Sequence, residues 1–204
     1  KKKLLAEATA FFDEATKIID AQQKEADAAF AKFKGFNPEK DKSKEADHNN
    51  ALFDVVWSRL QNGQVEYMRA KLHTAASAEH TAQLKKAAAA FNKVYTDYQK
   101  LYYYGSLKAR LSEGRCFQDM GDLKQAATLY DECLGGPADP DIFRDLKTKT
   151  FAYVCEVWVD PKVNKPDSAS ERGGEWLIQM RPTEARDHDW LAVRYYVARS
   201  KEEI

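Results

Sequence analysis

The chain reads as an all-α protein, and three observations predict that class. Apolar residues recur at helical spacing along most of its length, no stretch alternates polar and apolar as a half-buried strand does, and Gly and Pro fall mainly between the periodic runs. The hydrophobic share of 44% and the charged share of 31% fit a folded chain whose helices each keep one wet face. With 204 residues it can bury a sizeable core, as one domain or as an open array of stacked units.

From Leu4 to Phe33, apolar residues at Leu4, Leu5, Ala8, Phe11, Phe12, Ala15, Ile18, Ile19, Ala26, Ala29, Phe30 and Phe33 predict a helix with a near-heptad seam. The seam is interrupted at Gln22 and Lys24-Glu25. Gly35 and then Asn37-Pro38 end the helix near Lys34, a flexible residue followed by a ring that cannot continue it. Pro38 to Asp47 reads as a solvated turn. A second run, Leu52, Phe53, Val56, Trp57, Leu60, Tyr67, Met68 and Leu72, predicts a helix from about Ala46 to Ala76. That helix is bent at Asn62-Gly63 and folds back on the first, so that residues 1–76 form a long hairpin. A third helix is predicted from about Glu79 to Tyr104, with Leu84, Ala87, Ala88, Phe91, Val94, Tyr95, Tyr98 and Leu101 inward. Further on, Ile142 to Val159 reads as a helix stopped by Asp160-Pro161. Ser168 to Met180 is its partner, closed by Arg181-Pro182, and Asp189 to Lys201 is a further helix. About seven helices are expected.

The most specific stretch runs from Gly114 through Arg115, Cys116, Phe117, Gln118, Asp119, Met120, Gly121 and Asp122 to Ala126 and Tyr130. It resembles a tetratricopeptide repeat. The resemblance implies that Gly114 lets a first helix lie close to a second, that Phe117 follows as an aromatic, and that Gly121 makes the turn. Ala126, Tyr130 and Cys133 then take the small, aromatic and small positions of the second helix. It covers roughly Leu107 to Pro140. Arg110 and Glu113 replace the large residue the family places before the Gly, and the closing Pro is displaced to Pro137 or Pro140.

Phe91 and Tyr130 lie 39 residues apart, against about 34 in a standard repeat, so the intervening helices or turns are longer. On this reading, residues 64–104 form a degenerate repeat with Ala70 near its close-contact position, and 107–140 the clear one. Residues 142–182 form another, and 187–204 the first helix of a truncated one. The implied architecture is a single domain over 1–204, a right-handed α-solenoid of antiparallel helix pairs with a long N-terminal hairpin. The unpartnered last helix and the missing initiator Met lead us to expect a piece of a longer protein.

The search for chemistry returns little. Lys plus Arg and Asp plus Glu number 32 each, with no basic stripe, which argues against nucleic acid. Gly135-Gly136-Pro137 and Gly173-Gly174 lack the Lys-Ser/Thr of a phosphate loop. His48, His73, His80 and His188 stand at spacings that pair no metal ligands. Asp187-His188-Asp189 comes nearest to an acid–base cluster and reads instead as a helix cap. Cys116, Cys133 and Cys155 fall at inward positions, as packed reduced thiols. No enzyme, cofactor or metal is expected. No run approaches the ~20 apolar residues of a membrane span, and Lys1-Lys2-Lys3-Leu4-Leu5 is too short for a signal core. The cytoplasm is the expected compartment, with an extracytoplasmic one left open.

Tyr95, Tyr98, Tyr102, Tyr103 and Tyr104 cluster ahead of Arg110 and Arg115. The resemblance implies that first helices line a concave groove. Tyr67, Lys71, Tyr104, Lys108 and Arg110 are therefore the candidate peptide-binding residues, with Tyr104, Lys108 and Arg110 exposed in it and Lys85 and Lys124 on the convex side. The expected function is a monomeric, non-enzymatic scaffold or adaptor that holds a protein or peptide. The alternative is an oligomerising segment in which the seam from Leu4 to Phe33 pairs with a second chain.

Overall fold

The computed structural model describes residues 2–202; Lys1, Glu203 and Ile204, the last two belonging to the truncated repeat expected over 187–204, lie outside the described residues. Every regular element among the described residues is helical. The chain divides into two compact units, 1–109 and 110–204.

The first unit holds α1 (Lys2–Ala31), a 3-10 turn (Lys42–Lys44), α2 (Glu45–Ala70), α3 (Ala78–Tyr98) and the beginning of α4 (Tyr103–Met120). α1 packs on α2 and α2 on α3. The expected hairpin therefore forms within the chain, antiparallel, as two ion pairs record: Asp27 with Arg59 at 2.7 Å and Asp13 with Arg69 at 2.8 Å. α1 ends at Ala31, short of the expected Lys34, and the turns after it run to Gly35, whose φ of +83 is a left-handed value open to a residue without Cβ. Beyond it, His48 stacks on Phe36 with ring centroids 4.1 Å apart and closes the loop.

Three expectations change here. α2 runs unbroken through Asn62-Gly63 and ends at Ala70 instead of Ala76. Gly63 is a contact, not a bend: a Cβ on it would sit 2.6 Å from the Phe91 ring of α3, and Ala70, expected near the close-contact position, is fully buried. Ser77 then starts α3 by accepting a hydrogen bond from the His80 amide at 3.1 Å. α3 ends at Tyr98 instead of Tyr104, and Tyr103 and Tyr104 open α4. The break lets Gly105 press on α2, where a Cβ would lie 2.7 Å from Val56.

The second unit holds the rest of α4, α5 (Leu123–Leu134), α6 (Asp141–Trp158), α7 (Pro166–Ser168), a π-helical stretch (Ala169–Gly173), α8 (Gly174–Ile178) and α9 (His188–Glu202). Gly121, at φ +83, ends α4 in a Schellman motif. Its N–H donates to the Gln118 carbonyl at 2.9 Å and the next N–H, of Asp122, to that of Phe117 at 3.0 Å. Asp122 at once caps α5, accepting from the Gln125 amide at 3.1 Å. The Tyr130 ring lies against Gly114, where a Cβ would come within 2.5 Å of it. Ala126, Tyr130 and Cys133 are buried, as are Cys116 and Cys155. Phe117 is half-buried.

A buried cation staples the far end of this unit. Arg144 of α6 donates to both Glu184 carboxylate oxygens, at 2.6 and 2.8 Å, and to the Gln179 carbonyl at 2.6 Å. Its guanidinium carbon lies 5.2 Å from the Trp176 ring and 5.0 Å from that of Trp190, and those two indoles stack at 5.6 Å. Three of the five N–H donors of this guanidinium thus have acceptors, and its faces favour aromatic rings of the kind that lie beside it. Asp187 caps α9, accepting from Asp189 and Trp190 amides at 2.9 and 3.3 Å.

Candidate functional site

Helical spacing places Phe53, Trp57, Tyr67, Met68 and Lys71 along one side of α2. Phe53 and Trp57 are 42% and 38% exposed, too much for core residues of this size. Their rings stack 5.7 Å apart at 11°. Tyr102, in the turn before α4, stands edge-on to Phe53 at 6.2 Å, and Tyr104 edge-on to Tyr102 at 6.3 Å. Lys108, one turn further along α4, sets its ammonium 4.4 Å above the Trp57 ring. Five side chains from α2, α4 and the turn that leads into α4 thus make one aromatic surface with a cation on it.

Trp57 also walls a cleft of about 390 Å3 between α1 and α2, with Gln22, Glu25, Ala29, Asp54 and Gln61 around it. The surface therefore offers aromatic faces, an ammonium and, alongside, two carboxylates. Partial burial pushes the Tyr102 phenol up from its ordinary range, so it stays protonated at neutral pH.

Of the residues singled out from the sequence, Lys108 and Tyr104 belong to this surface, half-buried where exposed positions were expected because each is packed against a neighbouring ring. Tyr67 and Lys71 form a pair of their own, the ammonium 4.7 Å from the ring. Arg110 departs from expectation. Its side chain is only 14% exposed and donates to Glu132 at 2.6 Å and Glu113 at 2.8 Å. Burial works against that charge, but the two carboxylates outweigh it and hold the guanidinium pKa above its usual value. The residue is a clamp between α4 and α5, not an open groove cation. Lys85 and Lys124 are exposed. Phe53 and Trp57, which dominate the surface, belong to the same apolar run as Leu52 and Val56; their order in the chain carries no signal that separates surface from core.

The second unit carries a polar cluster that sequence reasoning did not find. Glu156 of α6 accepts from Gln118 at 2.9 Å and Arg115 at 3.2 Å, and the Arg115 guanidinium lies 4.9 Å from the Tyr153 ring. Tyr130 donates its hydroxyl to Gln118 at 2.6 Å. Desolvation drives the Tyr130 phenol far up, and it drives the thiols of Cys133 and Cys155 up to about 12, so these thiols stay protonated at neutral pH.

Among the described residues no group of three His, Cys, Asp or Glu side chains could hold a metal ion, and no helix is long and apolar enough to cross a membrane. Comparison of the chain with protein-family models, curated proteins and solved structures finds no match.

Proposed function

We propose that this chain is a non-enzymatic helical-repeat module that holds a protein or peptide on the aromatic surface of α2 and the start of α4. The observation that carries the reading is the ring patch in which exposed Phe53 and Trp57 meet half-buried Tyr102 and Tyr104, with Lys108 over the indole. Large rings exposed side by side give contact area at low entropic cost, and the aromatic and cationic residue types are those that anchor interfaces. The fitting ligand is a short extended or helical segment with an apolar anchor for the rings and a carboxylate for Lys108 or Lys71. The tetratricopeptide-like solenoid reading draws support from the glycine-on-ring contact found in both hairpins, Gly63 on Phe91 and Gly114 on Tyr130.

With a peptide ligand recovered by pulldown from the source cell, Trp57→Ala and Lys108→Ala are expected to weaken binding by about 1–2 kcal/mol each. Lys85→Ala, on the far helix of the same unit, is expected to leave it unchanged. Equal losses at all three positions in isothermal titration would reduce the surface to diffuse charge attraction.

One observation favours a second reading, an oligomerising segment. Leu4, Phe11 and Ile18, spaced by seven, stay 70%, 71% and 53% exposed although α1 is packed on α2. Sedimentation over a concentration series separates the two: a constant monomer supports the module, and a dimer abolished by Phe11→Asp supports the segment.

A further inference from the structure

A cavity of about 570 Å3 opens between the first turn of α5 and the loop that follows α6. Leu123, Ala127, Trp158 and Val163 give it an apolar wall, and Lys124, Lys162 and Lys165 line it as cations. None of these three lysines forms an ion pair among the described residues. The carboxylates beside them are already committed. Asp131 takes Arg172 at 2.8 Å, and Asp122 caps α5 through the Gln125 amide at 3.1 Å.

The loop that presents two of the lysines is held in shape. Asp160 accepts from the Lys162 amide at 2.8 Å, and the Lys165 amide donates back to the Trp158 carbonyl at 2.8 Å. Asn164 between them takes φ 50, a left-handed conformation that asparagine tolerates better than most residues. Lys162 and Lys165 are thus carried on a fixed loop, and Lys124 on the first turn of a 12-residue helix whose N-terminal dipole adds to the positive field.

The volume lies within the range of about 300–1,000 Å3 typical of small-molecule sites. Three cations that form no ion pair, with Asp131 held by Arg172 and Asp122 by a helix amide, leave a net positive rim beside an apolar wall, which suits a ligand with two unlike ends. We propose that this cavity binds a small soluble organic phosphate, its phosphates among Lys124, Lys162 and Lys165 and its organic part against Leu123, Ala127 and Val163. The site lies wholly in the second unit and does not depend on the peptide surface.

The test is a titration of the whole chain with ADP, a probe carrying both ends, followed by amide NMR. Saturable shifts at Leu123 to Gln125 and Lys162 to Lys165 are expected, with a micromolar dissociation constant about tenfold below that of pyrophosphate or adenosine alone. Lys162→Ala with Lys165→Ala is expected to weaken binding about tenfold or more, and the paired Arg variant to hold it within about threefold, because these exposed side chains carry charge and not fold. Four outcomes would overturn the proposal: no saturable shift, unchanged affinity in the Ala pair, pyrophosphate as tight as ADP, or stronger binding to vesicles bearing phosphatidylinositol 4-phosphate than to ADP.

Discussion

Both units close a hairpin by setting a glycine under an aromatic ring, Gly63 under Phe91 and Gly114 under Tyr130, yet the two rings are anchored differently. Phe91 is fixed by packing alone. Tyr130 adds a hydroxyl that reaches Gln118, and Gln118 passes the connection to Glu156 on α6. In the second unit one ring therefore ties three helices through directional bonds, and further rings surround a buried guanidinium. The first unit sets its rings by apolar contacts, keeps its inter-helix ion pairs, Asp27 with Arg59 and Asp13 with Arg69, at the rim, and leaves Phe53 and Trp57 outside, with Leu4 and Phe11 outside on α1. Apolar packing brings helices together at a tolerant angle, whereas a satisfied polar network accepts few arrangements.

The largest test of that difference is Arg144→Ala. Removing one partner of a buried, hydrogen-bonded pair strands the other and opens space beside two stacked indoles, for an expected loss of about 3–5 kcal/mol. The cysteines, all in the second unit and all buried, report on it directly: thiol labelling in denaturant should shift to a lower midpoint, while fluorescence changes from Trp57 should shift less.

Gly63→Leu and Gly114→Leu come next, each expected to cost about 1–3 kcal/mol by overpacking. Chemical denaturation should find Gly114→Leu the costlier, because displacing Tyr130 also breaks its bond to Gln118, while Phe91 has only packing to lose. An unchanged melting temperature for Gly114→Leu would remove the case for a close-packed repeat at that hairpin. Tyr130→Phe makes the second hairpin resemble the first. Leaving Gln118 one donor short is expected to cost about 1 kcal/mol, read as a lower denaturant midpoint at constant slope.

Acid gives the smallest effect. Arg144, through its hydrogen bonds, holds the Glu184 carboxyl below its ordinary range, outweighing the opposing effect of burial. A depressed carboxylate stabilises the fold above its unfolded pKa of about 4.3 and loses that contribution as pH falls through the folded value. Stability of the second unit should therefore be flat near neutrality and decline below about pH 4, and Glu184→Gln should flatten that part of the decline.

The helices were readable because periodicity and punctuation agree: Gly35, Gly121 and Asp187 end or begin helices at or within a few residues of where the sequence suggests. The Gly114 contact was readable too, since a glycine inside a helix that faces an aromatic has few other uses. Phe53 and Trp57 were not. Neighbouring helical residues point about 100° apart, so Leu52 with Val56 and Phe53 with Trp57 form adjacent stripes. Both are apolar, and only the approach of α1 and α3 decides which is covered. Arg144 was hidden for a related reason. An arginine in a helix reads as solvated unless an acceptor arrives from elsewhere, and Glu184 lies 40 positions downstream. Arg110, likewise, was read as open because its partner Glu132 belongs to the next helix.

The π-helical stretch from Ala169 to Gly173 makes that segment unusually tolerant of a change in chain length. A π turn carries one residue more than the α turn it replaces, so the helix on either side keeps its facing as if that residue were absent. Deleting the exposed Glu171 would convert the turn to ordinary α-helix and leave Trp176 aimed at Trp190. The same deletion inside α6 would swing everything beyond it by about 100° and pull Cys155 and Trp158 out of the core. This one segment can thus lose a residue without losing its register.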